Sequence, residues 1–565
     1  MKHTTFRSKC ALFIVLLCAV TPLFAINKHE VRAVWVTTIG GLDWPHSYAQ
    51  SFHSIEKQKN ELRDILDKLK LANINTILLQ TRVRATTIYP SAIEPWDGCM
   101  SGVPGKAPGY DPLAFAIEEC HKRGMELHAW VVTIPIGKWN NYGCRQLRRK
   151  HPDMVKRIGD EGFLDPEKRA SADYIADICG EITRNYDIDG IHLDYIRYPE
   201  TWKGRINVQR GRENITRIVE KVTERVKAQK PWVKMSCSPV GKHDDLTRFS
   251  SKGWNARTKV CQDAQAWLAK GLMDQLYPMM YFKGNQFYPF ALDWNENRNG
   301  KIIAPGLGIY FLSPKEKDWD IEVVTRELHF LQEEGMGHAF FRCKFLIDDI
   351  KGLYGIVKDE INRTPALIPP MTINPKYASN TTMPEKPAHL RVTNGQAFNR
   401  LTWEDPEAYQ QTNGNYHLFN IYASETYPVD TDNPNNLLAT RLTERSIDIP
   451  KANIGTTMHY AVTATDRYGR ESEAATTPAP KNVQVNDIPY MLSCNGKTLL
   501  LPTKAKTSDA EYIAIESASG NILSTRPYSD TAIDVSHIPQ GFYVVRSLNS
   551  RGTSHRIGFF IIRRD

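Results

Sequence analysis

From Val31 to about Asn362, short apolar runs alternate with stretches whose apolar residues recur every three to four positions. The short runs are Val31–Thr38, Asn75–Thr81, Glu126–Val132, Gly190–Tyr195, Val233–Ser238, Gln275–Tyr281, Ile302–Ile309 and His338–Arg342. Their near-continuous apolar character is that of strands covered on both faces, which predicts a parallel sheet with helices outside it. The longer period fills the gaps, for example over Ile55–Leu71, Pro112–Arg123, Ala170–Tyr186 and Asn214–Ala228. Eight strand–helix units predict a (β/α)8 barrel of TIM type over residues 26–363. A doubly wound open sheet is the alternative, and no Gly-rich phosphate loop follows the first strand to support it.

The pattern then changes twice. Residues 364–387 carry Pro365, Pro369, Pro370, Pro375, Pro384 and Pro387 with little helical period, the composition of a linker. Beyond it the period drops to two, in Leu401-Thr402-Trp403, Phe419-Asn420-Ile421-Tyr422 and Tyr460-Ala461-Val462-Thr463-Ala464-Thr465. Residues 388–480 therefore read as one all-β sandwich, with Trp403 in its core. Residues 488–565 read as a second, through Ile533-Asp534-Val535, Gly541-Phe542-Tyr543-Val544-Val545 and Gly558-Phe559-Phe560-Ile561-Ile562. The predicted class is α/β: a barrel followed by two all-β modules.

Composition narrows the function. The 565 residues carry a formal charge of +9, of which Lys2, Arg7 and Lys9 supply three, and no dense Lys/Arg block is present. Nucleic-acid binding is disfavoured on that ground. Residues 1–25 have a basic start, an apolar run over Ala11–Val20 too short to span a bilayer, and Leu23-Phe24-Ala25 as a cleavage site, which predicts an exported protein with no later transmembrane segment. Surface attachment is left open. The eight cysteines beyond residue 25 show no CxxC pair and no zinc-type Cys/His spacing, and several sit in apolar runs. Buried free thiols are expected, with a Cys99–Cys144 bridge as the alternative. No metal or organic cofactor is implied.

The stretch richest in chemistry is Asp189-Gly190-Ile191-His192-Leu193-Asp194-Tyr195-Ile196-Arg197-Tyr198-Pro199. It opens as a turn, runs as a short strand and closes on a carboxylate, the place where parallel barrels put catalysis. Strand alternation puts His192, Asp194 and Ile196 on one face, facing the lumen.

Four stretches taken in order resemble the glycosyl hydrolase-like family ten. They are Arg32-Ala33-Val34-Trp35-Val36 with Asp43-Trp44-Pro45; Gln80-Thr81-Arg82-Val83-Arg84 with Tyr89 to Trp96; His128-Ala129-Trp130; and the Asp189–Pro199 run. The resemblance implies a (β/α)8 fold, export and hydrolysis of a polysaccharide, for some members peptidoglycan glycan strands stripped of their peptides. The chain departs from the family pattern at Thr86, often acidic there, and at Pro278-Met279-Met280-Tyr281, often Pro-Gln-Ile-Tyr. Residues 388–478 resemble a fibronectin type III module. The last unit resembles the C-terminal sandwich of many secreted Bacteroidetes proteins, a sorting or spacer module.

Glycoside cleavage usually takes two carboxyl groups. Related barrels use the carboxylate at this strand end as nucleophile, which assigns that role to Asp194. Elimination leaves Asp43, Glu94, Glu200, Asp244, Asp245, Asp293 and Glu296 for the second. Glu94, between Ile93 and Pro95-Trp96, is favoured as general acid because apolar surroundings keep a carboxyl protonated. Its alternative is an ion pair with Arg82 or Arg84, and Asp43 is the next choice. Arg82, Arg84 and Arg197 are candidates for holding the lactyl carboxylate of muramic acid. Trp44, Trp96, Trp130 and Tyr281 are candidates for stacking on sugar rings, and His192 for a lumen residue bonding near Asp194. Chitinases of the substrate-assisted kind carry Asp-Gly-x-Asp-x-Asp-x-Glu at this strand; His192 and Ile196 stand at two of those acids and exclude that mechanism here.

Overall fold

The computed structural model describes residues 27–202, 206–249, 253–377, 382–395, 397–408, 414–450, 458–478, 490–501, 510–517, 521–528, 532–549 and 554–563. The expected export signal lies outside them. They fall into two compact units, divided between Thr477 and Pro478. No described helix is long and apolar enough to cross a membrane.

The first unit is built on one parallel sheet. Its strands are β1 (Arg32–Val36), β2 (Thr76–Arg82), β3 (Glu126–Val132), β4 (Gly190–Asp194), β5 (Lys234–Cys237), β6 (Gln275–Leu276), β7 (Ile302–Ile303 and Gly306–Leu307) and β8 (His338–Phe340). Ile302–Ile303 pairs with β6, whereas Gly306–Leu307 pairs with β8, and β8 pairs with β1. The two ends of the strand order thus meet within six residues of chain, and the sheet closes into a TIM-like α/β domain rather than the open sheet. The expected single strand Ile302–Ile309 is broken at Ala304-Pro305 because Pro305 has no N–H to give to a ladder.

The helices α1 (Phe52–Leu71), α2 (Pro112–Lys122), α3 (Arg169–Asn185), α4 (Val208–Gln229), α5 (Ala264–Ala269), α6 (Tyr288–Glu296) and α7 (Ile321–Glu333) lie between the strands in sequence. Their starts follow local chemistry: Ser51 and Ser54 form a capping box on α1, and Asp111 caps α2 ahead of Pro112. Trp35, Leu78, Trp130, Tyr277, Ala304 and Ala339 pack together inside the sheet. An antiparallel sheet of Pro135–Lys138, Glu161–Leu164 and Val155–Ile158 follows β3, an insertion that the apolar runs did not announce.

The proline-rich stretch is tied down at its start. Glu30 N donates to Leu367 O, Arg32 Nη1 donates to Thr364 O, and Ala366, Leu367, Ile368 and Met371 are buried. Residues 378–381 of it lie outside the described set. Residues 388–477 form antiparallel sheets of three and four strands over a core of Trp403, Phe419, Ile421, Tyr460 and Val462. In the second unit a five-stranded and a two-stranded sheet enclose Leu499, Ile513, Val535, Val545 and Phe560. The eight described cysteines are free thiols, seven of them buried, and Cys99 and Cys144 are not bridged.

Candidate active site

Asp194 is the last residue of β4, and its carboxylate is 6% exposed. Trp130 Nε1 donates to one oxygen at 3.1 Å; Ser238 Oγ, at 2.9 Å, and the Tyr195 N–H, at 2.7 Å, donate to the other. These donors come from the C-terminal ends of β3, β4 and β5, three adjacent strands. The Asp194 carbonyl in turn accepts from the Thr133 N–H and hydroxyl, which fastens β4 to β3. Burial pushes the Asp194 carboxyl above its ordinary pKa, against the pull of the nearby Arg197 charge and the three donors.

One layer below, the Trp35 indole donates to His192 Nε2 at 3.3 Å, so that nitrogen is an acceptor. Nδ1 then carries the proton toward Ser236 Oγ at 3.0 Å. Burial and the neighbouring His128 hold the His192 pKa well below the ordinary value. A neutral imidazole fixed on both nitrogens is a lumen prop, not a base. Ile196 departs from the expected face. Tyr195 has φ +51°, which breaks the alternation just past the strand, and Ile196 packs into the outer core.

The second expected carboxyl is not free. Arg82 holds Glu94 in a two-pronged pair, Nε to Oε2 at 2.8 Å and Nη2 to Oε1 at 2.7 Å, and the Tyr174 hydroxyl adds a third bond at 2.9 Å. Both side chains are almost wholly buried. Burial works against the Arg82 charge, but Glu94 outweighs it and raises the guanidinium pKa. Both Glu94 oxygens are therefore taken and sealed from the lumen mouth by burial, and Arg82, whose Nη1 also donates to the Val132 and Thr133 carbonyls, has no face left for a substrate carboxylate. Asp43 is likewise saturated. It accepts from the Thr37 N–H and hydroxyl, from Arg342 Nη1 and from the Lys344 N–H, bracing the end of β1 against the chain after β8. Trp44 is fully buried with its indole N–H on the Gln58 carbonyl, so it is core and not a sugar platform.

The other predicted residues remain at the mouth. Tyr281 is half-buried and stacks on Phe341 at 5.6 Å and 28°, with Tyr310 edge-on at 5.9 Å. Asp194, Tyr310, Tyr195 and Arg197 all lie close enough to act electrostatically on its phenol. Arg84 is exposed, and no described residue forms a hydrogen bond or ion pair with it. Trp96 is half-buried in the loop after β2, its carbonyl accepting from the Gly105 N–H. Arg197 is 5% exposed and donates to Glu200 Oε1 through Nη2 at 3.0 Å and Nε at 3.3 Å. Thr86 is buried, with its hydroxyl on Asp97 at 2.6 Å.

Among the remaining acids, Asp244 pairs with Arg257, Asp293 accepts from Gln265, and Glu296 pairs with Arg248 at the surface. Glu200, with a side chain 43% exposed, is linked through Arg197 to the surroundings of Asp194. Sequence reasoning missed Tyr195, Ser238, Tyr310 and Phe341. Ser238 was within reach, because it follows β5 with the parity of Ser236 and so shares the lumen face.

Residues 30–210 and 199–313 match the family model "Glycosyl hydrolase-like 10". The chain is 29% identical over 490 residues to "Glycosyl hydrolase YngK" of Bacillus subtilis (strain 168), covering 80% of this chain and 93% of that protein. It is 31% identical over 292 residues to "Glycosyl hydrolase DigH" of Escherichia coli (strain K12), covering 45% of this chain and 66% of that protein. Among solved structures it is similar to an alpha-L-fucosidase isoenzyme 2 from Paenibacillus thiaminolyticus, with 14% identity, 59% of this chain and 49% of that chain covered, and a TM-score of 0.38. The family match runs through half of the sequence and takes in Trp130, Asp194, Arg197 and Tyr281; the chain belongs to the glycosyl hydrolase-like 10 family.

Proposed function

We propose that the protein is an exported glycoside hydrolase acting on a polysaccharide, with peptide-free peptidoglycan glycan strands as the leading substrate and Asp194 as the key carboxylate. The observation that carries this reading is the setting of Asp194. It is a buried carboxylate held by three donors at the end of a barrel strand, facing Tyr281 and its aromatic neighbours. Aromatic rings suit the apolar faces of sugars, and a carboxylate fixed in one orientation suits attack on, or activation of water at, an anomeric carbon. Family membership and the names of the Bacillus subtilis and Escherichia coli relatives point the same way. Glu200 replaces Glu94 as the proposed proton donor, because its side chain reaches solvent and Arg197, its ion-pair partner among the described residues, lies beside Asp194. The resemblances to a fibronectin type III module and to a Bacteroidetes-type terminal sandwich support a surface-working enzyme with accessory modules.

A second reading, glycan capture without cleavage, is favoured by one observation. Asp43 and Glu94 are both locked, and among the described residues no second carboxylate shares a hydrogen-bond donor with Asp194. Release of soluble fragments from amidase-stripped and intact peptidoglycan by wild type, Asp194→Asn and Glu200→Gln separates the two. Cleavage of the stripped glycan by wild type alone supports hydrolysis. Binding by all three with release by none supports capture. No binding by any removes peptidoglycan from the proposal.

A further inference from the structure

Arg197 is a buried cation with unfinished bonding. Glu200 takes Nε and Nη2, whereas Nη1 is sealed from water and has no hydrogen-bond partner among the described residues. Buried donors are nearly always satisfied, and an orphaned guanidinium N–H is a place where something else belongs. The ring of Tyr195 lies over the guanidinium, its centroid 4.2 Å from the guanidinium carbon. Tyr195 is an unusual cover. It is 37% exposed, and its backbone sits at φ +51°, a region costly for a bulky aromatic residue. Its own N–H is fastened to Asp194 Oδ1 and its carbonyl accepts from the Arg197 N–H at 2.8 Å. The backbone is thus pinned, so the ring can leave the guanidinium only by turning about its side-chain bonds.

The charges acting on this ring are balanced, two cations against two carboxylates. Arg84, exposed and without a described ion-pair partner, and Arg197 both act on Tyr195, against Asp194 and Glu200. Glu200 is already engaged by Arg197. A planar guanidinium with a free edge, reinforced by a second arginine, fits a carboxylate better than a sugar hydroxyl. Arg82, the other arginine of this region, is consumed by Glu94.

We infer that Arg197, uncovered when the Tyr195 ring swings aside, reads a carboxylate on the sugar bound next to Asp194, with Arg84 as the outer contact. This rests on the glycan-hydrolase reading of the site and adds to it the residues that select an acidic sugar.

The test uses the full chain and two glycans: peptide-free peptidoglycan strands, and the same strands with their lactyl carboxylates reduced to alcohols. The readout is the ratio of kcat/KM on the two, with sedimentation binding to Asp194→Asn alongside. Wild type is expected to prefer the native strands roughly 10- to 100-fold, the range of a hydrogen-bonded charge pair. Arg197→Gln should bring the ratio close to one. Arg84→Gln, at an exposed position with little bearing on folding, should lower it several-fold. Tyr195→Ala, which removes the cover, should keep the preference and lower KM on the native strands. Equal rates of wild type on both glycans, or a ratio unchanged in both arginine variants, overturns the inference while leaving the hydrolase reading in place. Failure of Asp194→Asn to bind either glycan overturns the hydrolase reading itself, and this inference with it.

Discussion

Asp189 and Asp194 stand at opposite ends of one short strand, equally buried, and their carboxyls are driven in opposite directions. Asp189, just before β4, accepts from His121 Nε2 at 2.8 Å, the Leu127 N–H at 2.9 Å, Arg441 Nη2 at 2.7 Å and Arg467 Nη2 at 3.3 Å. Burial works against its charge, but His121, Arg441 and Arg467 outweigh it and hold the carboxyl well below its ordinary pKa. Asp194 has three neutral donors and one nearby cation, and burial wins. The lesson is that burial sets the cost of a carboxylate while the cations supplied to it set the outcome. One end of the strand is neutralised by cations, and the other, proposed as the reactive one, is not.

The largest effect should come from removing the cations at the quiet end. Arg467→Ala strips partners from Asp187, Asp189 and the Gly414 carbonyl, and Arg441→Ala strips Asp189 and Glu126. Each is expected to cost about 3 kcal/mol, the low end of the penalty for breaking a buried pair, because Asp189 keeps His121 and the other arginine and Glu126 keeps Lys234. Urea unfolding measures it, and a midpoint unmoved by either variant would break the comparison.

At the reactive end the order of effects reverses. Asp194→Asn is expected to lower kcat/KM roughly a thousandfold or more, while thermal stability at neutral pH holds or rises, because the cost of burying a charge is gone. A thermal midpoint that falls as far as in the arginine variants would mean that Asp194 is structural as well.

The pH dependences should also be opposed. The folded-state pKa of Asp189 is depressed, so its stabilisation is fully present above the ordinary value of 3.8 and is lost as pH falls below it. That of Asp194 is raised, so stability declines as pH climbs from 3.8 through the raised value and is flat beyond. If Asp194 acts ionised, the acid limb of kcat/KM lies above 3.8. Unfolding free energy against pH for Asp189→Asn and Asp194→Asn should therefore change slope in opposite senses.

Glu327 on α7 sharpens the series with the smallest change. It is 1% exposed, one of its oxygens has no hydrogen-bond partner, and burial pushes its carboxyl up to about 9. It is the case of burial with no cation supplied. Stability should fall as pH rises from 4.5 toward 9, and Glu327→Gln should flatten that slope in a thermal-melt series.

Much of this was legible in the chain, because a parallel strand covered on both faces announces itself. Glu126–Val132 was bounded to the residue, and most of the other strand starts and ends fell within two. Asp194 was legible for the same reason: it closes such a run. What was not legible is saturation. Asp43 looks like any strand-end acid until Arg342, 299 positions away, is found on it. Glu94 looks like a proton donor in apolar company until Arg82, Tyr174 and the fold close around it. A local window gives a side chain's type and face, whereas reactivity depends on partners delivered from elsewhere. Tyr310 and Phe341, which complete an aromatic wall with the predicted Tyr281, escaped because the three rings come from the segments after β6, β7 and β8, far apart in the chain.

Arg441 and Arg467 belong to the sandwich that follows the barrel, yet the carboxylates they satisfy are the barrel's own. In evolutionary terms the seam restrains recombination. A barrel grafted onto another accessory module would keep two acids with part of their counter-charge gone, Glu126 retaining Lys234 and Asp189 retaining His121, so exchange of the module favours partners that bring both arginines or barrels that have already given up Asp189 and Glu126. Lineages that shuffle these parts should change all four positions together.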